Sequence, residues 1–147
     1  MRSVFIDTNV LVYLRDKDSP TKAARAATWL RTLVKRNEAV ISPQVINEFV
    51  AASLKRFPKA PLQEVHDGAR ELIPLCHATL DVSTAVLAMR VQADYRTSWW
   101  DALIVSSALA AGCRYILSED MQAGMRFGDM AVINPFETEP QAVFNAN

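Results

Sequence analysis

The chain has 147 residues, half of them hydrophobic, which is enough apolar side chain for the core of one domain and too little length to call for two. Its 16 Lys plus Arg balance 16 Asp plus Glu at 22% charged, which excludes a disordered chain and a strongly basic nucleic-acid coat; contact with a polyanion must rest on local patches. Two cysteines exclude a zinc knuckle or disulfide scaffold, no apolar run nears the ~18 residues of a membrane span, and no leader pattern precedes Val4, so a soluble, unprocessed, cytoplasmic protein is expected.

Val4-Phe5-Ile6 is a short continuous apolar run, the pattern of a strand buried on both faces of a parallel sheet. It predicts a strand over residues 3–6 that stops at Asp7-Thr8-Asn9. Ser19-Pro20 then offers a cap and a first-turn proline, and Ala26, Leu30, Leu33 and Val34 recur at helical spacing up to Lys35-Arg36-Asn37. Ala39-Val40-Ile41 predicts a second strand, followed at once by Ser42-Pro43 and a helical face of Val45, Ile46, Phe49, Val50 and Leu54. Residues 62–73 read as a helix ended by Pro74.

Ala78-Thr79-Leu80 is a weak strand candidate, and Val82, Val86, Met89, Val91 and Ala93 predict a helix over residues 83–95. Ser98 to Ala111 is the clearest helix, opened by Ser98 with Asp101 three residues on and closed by Gly112. Tyr115-Ile116-Leu117 and Ala131-Val132-Ile133 predict the last two strands, and the tail after Phe136 reads as loosely held. Strands alternating with helices at this spacing imply an α/β domain with a parallel sheet covered on both sides.

In such sheets sites form where strands end at their carboxyl edge. Asp7 follows the first strand, Asp120 follows 115–117 by three residues, Glu48 lies in the second turn of the helix leaving the second strand, and Asp101 stands in the first turn of its own helix. Each has a bland reading. Asp7 can end a strand in an Asx turn, Asp101 can complete a capping box with Ser98, Glu48 can be solvated surface, and Asp120 can be a loop acid with Glu119 its equal. What separates the readings is coincidence: four carboxylates in one cleft stay ionised only if a cation neutralises them. Oxygen ligands without His or Cys select Mg2+ or Mn2+, and the implied reaction is metal-assisted phosphodiester hydrolysis, with ions about 4 Å apart if there are two.

Val4-Phe5-Ile6-Asp7-Thr8-Asn9-Val10-Leu11, Asn47-Glu48-Phe49, Trp99-Trp100-Asp101-Ala102-Leu103-Ile104 and Leu117-Ser118-Glu119-Asp120 resemble, in order and approximate spacing, the motifs of PIN-domain ribonucleases, and among them VapC-type toxins. The resemblance covers residues 1–136, with Asn134-Pro135-Phe136 at its end, and leaves 137–147 as the tail. It implies a three-layer α/β/α fold with a parallel five-stranded sheet, and an RNA-cutting acid cluster. Asp7 and Asp101 carry over as principal metal ligands, Glu48 completes the cluster, Asp120 matches the fourth acid with Glu119 as its rival, and the Ser118 hydroxyl helps to orient water. Thr8 and Asn9 hold the Asp7 loop. The resemblance also implies a homodimer and an antitoxin whose C-terminal segment fills the groove. An RNA-processing nuclease without an antitoxin and a non-cutting RNA- or protein-binding module stay open beside this reading.

Other residues have plainer roles. Trp99 and Trp100 read as core or dimer packing ahead of base stacking, His66, His77 and Cys76 lack ligand spacing, and Lys55-Arg56-Lys59 and Arg15 with Lys17 are small basic clusters on solvated faces or on phosphates.

Overall fold

The computed structural model describes residues 4–144. Its elements run β1 (Val4–Ile6), α1 (Thr8–Val12), α2 (Pro20–Lys35), β2 (Ala39–Val40), α3 (Pro43–Arg56), α4 (Leu62–Leu72), α5 (Val82–Tyr95), α6 (Trp99–Ala110), β3 (Tyr115–Leu117), β4 (Arg126–Phe127), β5 (Met130–Ile133) and α7 (Pro140–Phe144). Short 3-10 turns extend α1 over Tyr13–Arg15 and α4 over Ile73–Leu75. The sheet has five strands in the order β2-β1-β3-β5-β4. β2, β1, β3 and β5 are parallel, and β4 joins β5 antiparallel.

The apolar runs form strands because both sheet faces are covered. Val4, Phe5, Ile6, Ile116 and Leu117 are each at most 1% exposed, and every one of these side chains gains roughly 1.5–3 kcal/mol from leaving water. Trp29 and Leu33 of α2, Val45 and Phe49 of α3 and the buried residues 102–105 of α6 close over the sheet in one continuous core. α6 is buried along nearly all its length, which is why its apolar residues run continuously rather than in a stripe. No helix among the described residues is long and apolar enough to cross a membrane.

Three expectations are corrected. Residues 78–80 form no strand; the chain makes one parallel rung earlier, at Cys76 against Ile41, with Ile41 N–H donating to Leu75 (2.9 Å) and Ala78 N–H to Ile41 (3.1 Å), because the turn at Pro74 delivers it there. The fifth strand is instead the two-residue β4, an unpatterned Arg-Phe pair joined to β5 through Gly128, whose φ of 61° suits a tight hairpin. The tail from 137 to 144 is held: α7 packs on α2, Trp29 Nε1 donates to the carbonyls of Pro135 (3.1 Å) and Thr138 (2.9 Å), and Phe144 lies edge-on to Trp29. Residue 3, the expected start of the first strand, and residues 145–147 lie outside the described residues.

Prolines start α2 and α3 as expected, but neither Ser19 nor Ser42 caps with its side chain, and the buried Ser42 hydroxyl has no hydrogen-bond partner among the described residues. Ser98 does cap α6, its hydroxyl accepting from Asp101 N–H at 3.1 Å.

Candidate active site

β1 and β3 end side by side, and Asp7 N–H continues their ladder to the Leu117 carbonyl at 3.0 Å. One step past the sheet, Asp7 becomes the N-cap of α1, accepting from Thr8 N–H at 2.8 Å. The short first helix is thus built on the same carboxylate that faces the cleft. Ser118 donates its hydroxyl hydrogen to Asp7 Oδ2 at 2.8 Å, and Asn9 Nδ2 lies 3.1 Å from the same oxygen.

Asn9 ties the two strand exits together. Its Nδ2 also faces Ser118 Oγ and Asp120 Oδ2, each at 3.3 Å, while its Oδ1 accepts from Glu119 N–H at 3.1 Å. Ser118 is fully buried, with its hydrogen spent on Asp7 and its oxygen accepting from Asn9 and from Met121 N–H at 3.2 Å. This hydroxyl therefore positions Asp7, its one hydrogen being directed at the carboxylate.

Glu48 reaches the same place from α3. Its Oε1 accepts from Thr8 Oγ1 and from Gln44 Nε2, both at 3.3 Å, and Gln44 also donates to the Trp100 carbonyl at 3.2 Å. Gln44 thereby fixes α3 to the start of α6, two residues from which Asp101 projects. Asp7, Glu48, Asp101, Glu119 and Asp120 line one open cleft of about 810 Å³, together with Thr8, Asn9, Tyr13 and Lys55.

The electrostatics link the four expected acids. Burial pushes the Asp7 carboxyl from 3.8 up to about 7; hydrogen bonds from Ser118 and Thr8 N–H pull it down, and repulsion from Glu48 and Asp101 adds to the rise. Glu48 is raised by burial and then by Asp101, against hydrogen bonds from Gln44 and Thr8. Asp101 is raised by burial and by Asp120, against its hydrogen bond with Ser98. Glu119 stands apart, because Lys22 of α2 forms an ion pair with it. The Lys22 ammonium also bonds Tyr13 Oη at 3.4 Å and sits over the Tyr13 and Phe136 rings.

No His or Cys lines the cleft, so its donors are hard oxygens that fit a divalent ion such as Mg2+ or Mn2+. As they stand, no three His, Cys, Asp or Glu side chains among the described residues close around a single point. The acids ring the cleft.

Lys22 and Gln44 were not picked out from sequence. Gln44 precedes Glu48 by one helical turn, a spacing that puts both on one face and could have flagged it; Lys22, 97 residues from Glu119, carried no such signal. Trp99 is partly buried against the core, whereas Trp100 is 64% exposed. Neither lines the cleft. Both thiols are free, and burial drives that of Cys113 up to about 12, so it is unreactive.

The sequence matches the PIN domain family over residues 4–124. No curated protein matches it. Among solved structures the fold is similar to that of a chain in the crystal structure of VapBC2 from Rickettsia felis bound to a DNA fragment from their promoter, with a TM-score of 0.64 and 16% identity, over 88% of this chain and 96% of that one.

Proposed function

The chain belongs to the PIN domain family, and from that premise we propose that it is a divalent-metal-dependent endoribonuclease, the toxin of a toxin–antitoxin pair. PIN domains are generally nucleases. The observation that carries the reading is the cleft that Asp7, Glu48, Asp101 and Asp120 line together, the first three each raised by burial and then by the charge of another acid of the set. Such a set is costly to hold unless its charge is used on a cation.

In this reading Asp7 and Asp101 are the principal ligands, with Glu48 and Asp120 completing the set, and Mg2+ or Mn2+ is the ion. Bound there, the ion supplies Lewis acidity toward a phosphodiester oxygen. The chain's own residues set the stage for it. Ser118, Asn9 and the Thr8 N–H aim the Asp7 carboxylate, Thr8 and Gln44 aim Glu48, and the Lys22 pair holds Glu119 aside from Asp120. Lys55 on the cleft wall offers positive charge to a phosphate backbone.

The fold likeness to a chain of VapBC2 supports an antitoxin partner. A homodimer has a surface to use: Val82, Val86 and Met89 lie on one face of α5, between 60% and 82% exposed. A cytoplasmic location follows from this role.

The test is to induce the protein briefly in cells, map new RNA 5′ ends by sequencing, and compare with Asp7→Asn. Discrete new ends that vanish in the variant are expected; none above the variant's background would refute nuclease action. A small antitoxin gene beside this one separates the toxin from an RNA-processing nuclease without a partner.

A further inference from the structure

A second cavity of about 620 Å³ adjoins the acid cleft and shares Arg56 with it. The α3 helix leads from one to the other. Glu48, Ala51, Ala52 and Lys55 fall at i, i+3, i+4 and i+7, on one helical face, so a single track runs from an acid over two small side chains to a cation. Glu48 and Arg56 are eight residues apart, about 12 Å along the axis. Just beyond, the chain turns through Phe57-Pro58 to Pro61, and these with Val65 give the cavity apolar walls.

The charges of the cavity sort into spent and free. Arg56 is paired with the buried Asp16, and Arg15 bonds the Glu64 carbonyl at 2.9 Å and faces the Glu64 carboxylate at 3.8 Å. The ammonium groups of Lys17 and Lys59 make no hydrogen bond or ion pair with any described residue, nor does that of Lys55 at the junction with the acid cleft. Against the two free ammonium groups that line it, Lys17 and Lys59, the cavity sets one acid outside its ion pairs, Asp18, whose own backbone N–H bonds Asp16 at 3.0 Å; Lys55 stands next to it on the wall of the acid cleft. The two basic clusters that lie far apart in the sequence, around Arg15 and around Lys55, thus meet on one cavity.

We propose that this cavity is a nucleotide subsite: it takes an unpaired nucleotide of the RNA strand that flanks the bond being cut. The base lies against the Phe57, Pro58 and Pro61 walls, and Lys55, Lys59 and Lys17 meet its phosphates. An aromatic and proline wall is sequence-tolerant towards bases, while free lysines recognise the backbone. A strand whose scissile phosphate reaches the acids must leave the cleft somewhere, and the α3 track is an exit that carries positive charge. This inference rests on the ribonuclease reading, and its test compares variants outside the acid cluster in one common background.

Binding of a short single-stranded RNA is measured by fluorescence anisotropy at several salt concentrations, in an Asp7→Asn background so that the RNA stays intact. Lys17→Gln with Lys59→Gln is expected to weaken binding and to lower the salt slope by about 0.7 per lysine. Phe57→Ala, checked for folding by circular dichroism, is expected to weaken binding about fivefold or more with the salt slope unchanged. Lys35→Gln, at the far end of α2, is the control and should bind as the parent does. Parent-like affinity and slope in the double lysine variant would overturn the subsite and leave a polypeptide as the occupant to test. An Asp7→Asn parent that binds no RNA, together with an unsubstituted protein that cuts none, would overturn the ribonuclease reading along with it.

Discussion

Lys22 holds the Glu119 carboxylate in an ion pair, so that of two consecutive acids after β3 one is neutralised in place and the other, Asp120, is left to Asn9 and the cleft. The sequence alone made these acids equal. Their difference is created by a residue from a distant helix.

The pair therefore ranks the two acids. Asp120→Asn should weaken Mn2+ binding markedly, and Glu119→Gln should leave it within about twofold, since a partly exposed ion pair contributes at most about 1 kcal/mol to stability and nothing directly to the ion. Mn2+ titration followed by electron paramagnetic resonance reads this out, and the reverse ranking would make Glu119 the fourth ligand.

Asn9 should matter nearly as much as a ligand while touching no substrate. Its two amide hydrogens are shared among Asp7, Ser118 and Asp120 and its oxygen accepts from the Glu119 N–H, so Asn9→Ala is expected to cost about 10–100-fold in Mn2+ affinity, the usual effect of losing an outer partner. The fold should survive, as Asn9 is only partly buried and lies outside the apolar core. Parent-like affinity would show that the two strand exits are aligned without it.

Stability should depend on pH through Asp7. Its carboxyl is raised from 3.8 to about 7 in the folded state, so the folded protein keeps a proton that the unfolded chain has lost between those values. In EDTA, its contribution is therefore most favourable below about pH 4 and is lost as the pH rises through 7. Asp7→Asn removes that dependence. Its stability gain over the parent should grow between pH 4 and 7 and then level off, at no more than about 4 kcal/mol less what the Ser118 and Asn9 contacts lose. Thermal melts across this range check it; a pH-independent difference would contradict the burial of a titrating Asp7.

Ser118 lowers the Asp7 carboxyl by donating to it, so Ser118→Ala should raise it further. Because Asp7 must lose its proton before an ion binds, the acid limb of the pH–rate profile should move to higher pH. A profile that falls in height without moving would mean that Ser118 acts only in packing.

Much of this was legible in the sequence, for identifiable reasons. β1 and β3 were readable because burial on both faces forces continuous apolar runs, and Asp7 and Asp101 because a strand exit and a helix cap mark their backbone positions. β4 was not, since two residues such as Arg126 and Phe127 carry no periodicity. The held tail was hidden for a different reason: its anchor, Trp29, looks like any other core residue of α2 until its indole N–H is seen to meet the Pro135 and Thr138 carbonyls. Within the site, local partners such as Thr8 and Gln44 follow from helix geometry. Lys22 and the hydroxyl of Ser118 depend on tertiary placement alone.

The most direct test of the acid cluster is a cleavage assay with purified protein and a mixture of cellular RNAs. EDTA should abolish cutting, added Mn2+ or Mg2+ should restore it, and Asp7→Asn purified the same way should stay inactive with either ion. Undiminished cutting in EDTA, or by rigorously purified Asp7→Asn, would contradict the assignment of this cleft as a metal-dependent ribonuclease site.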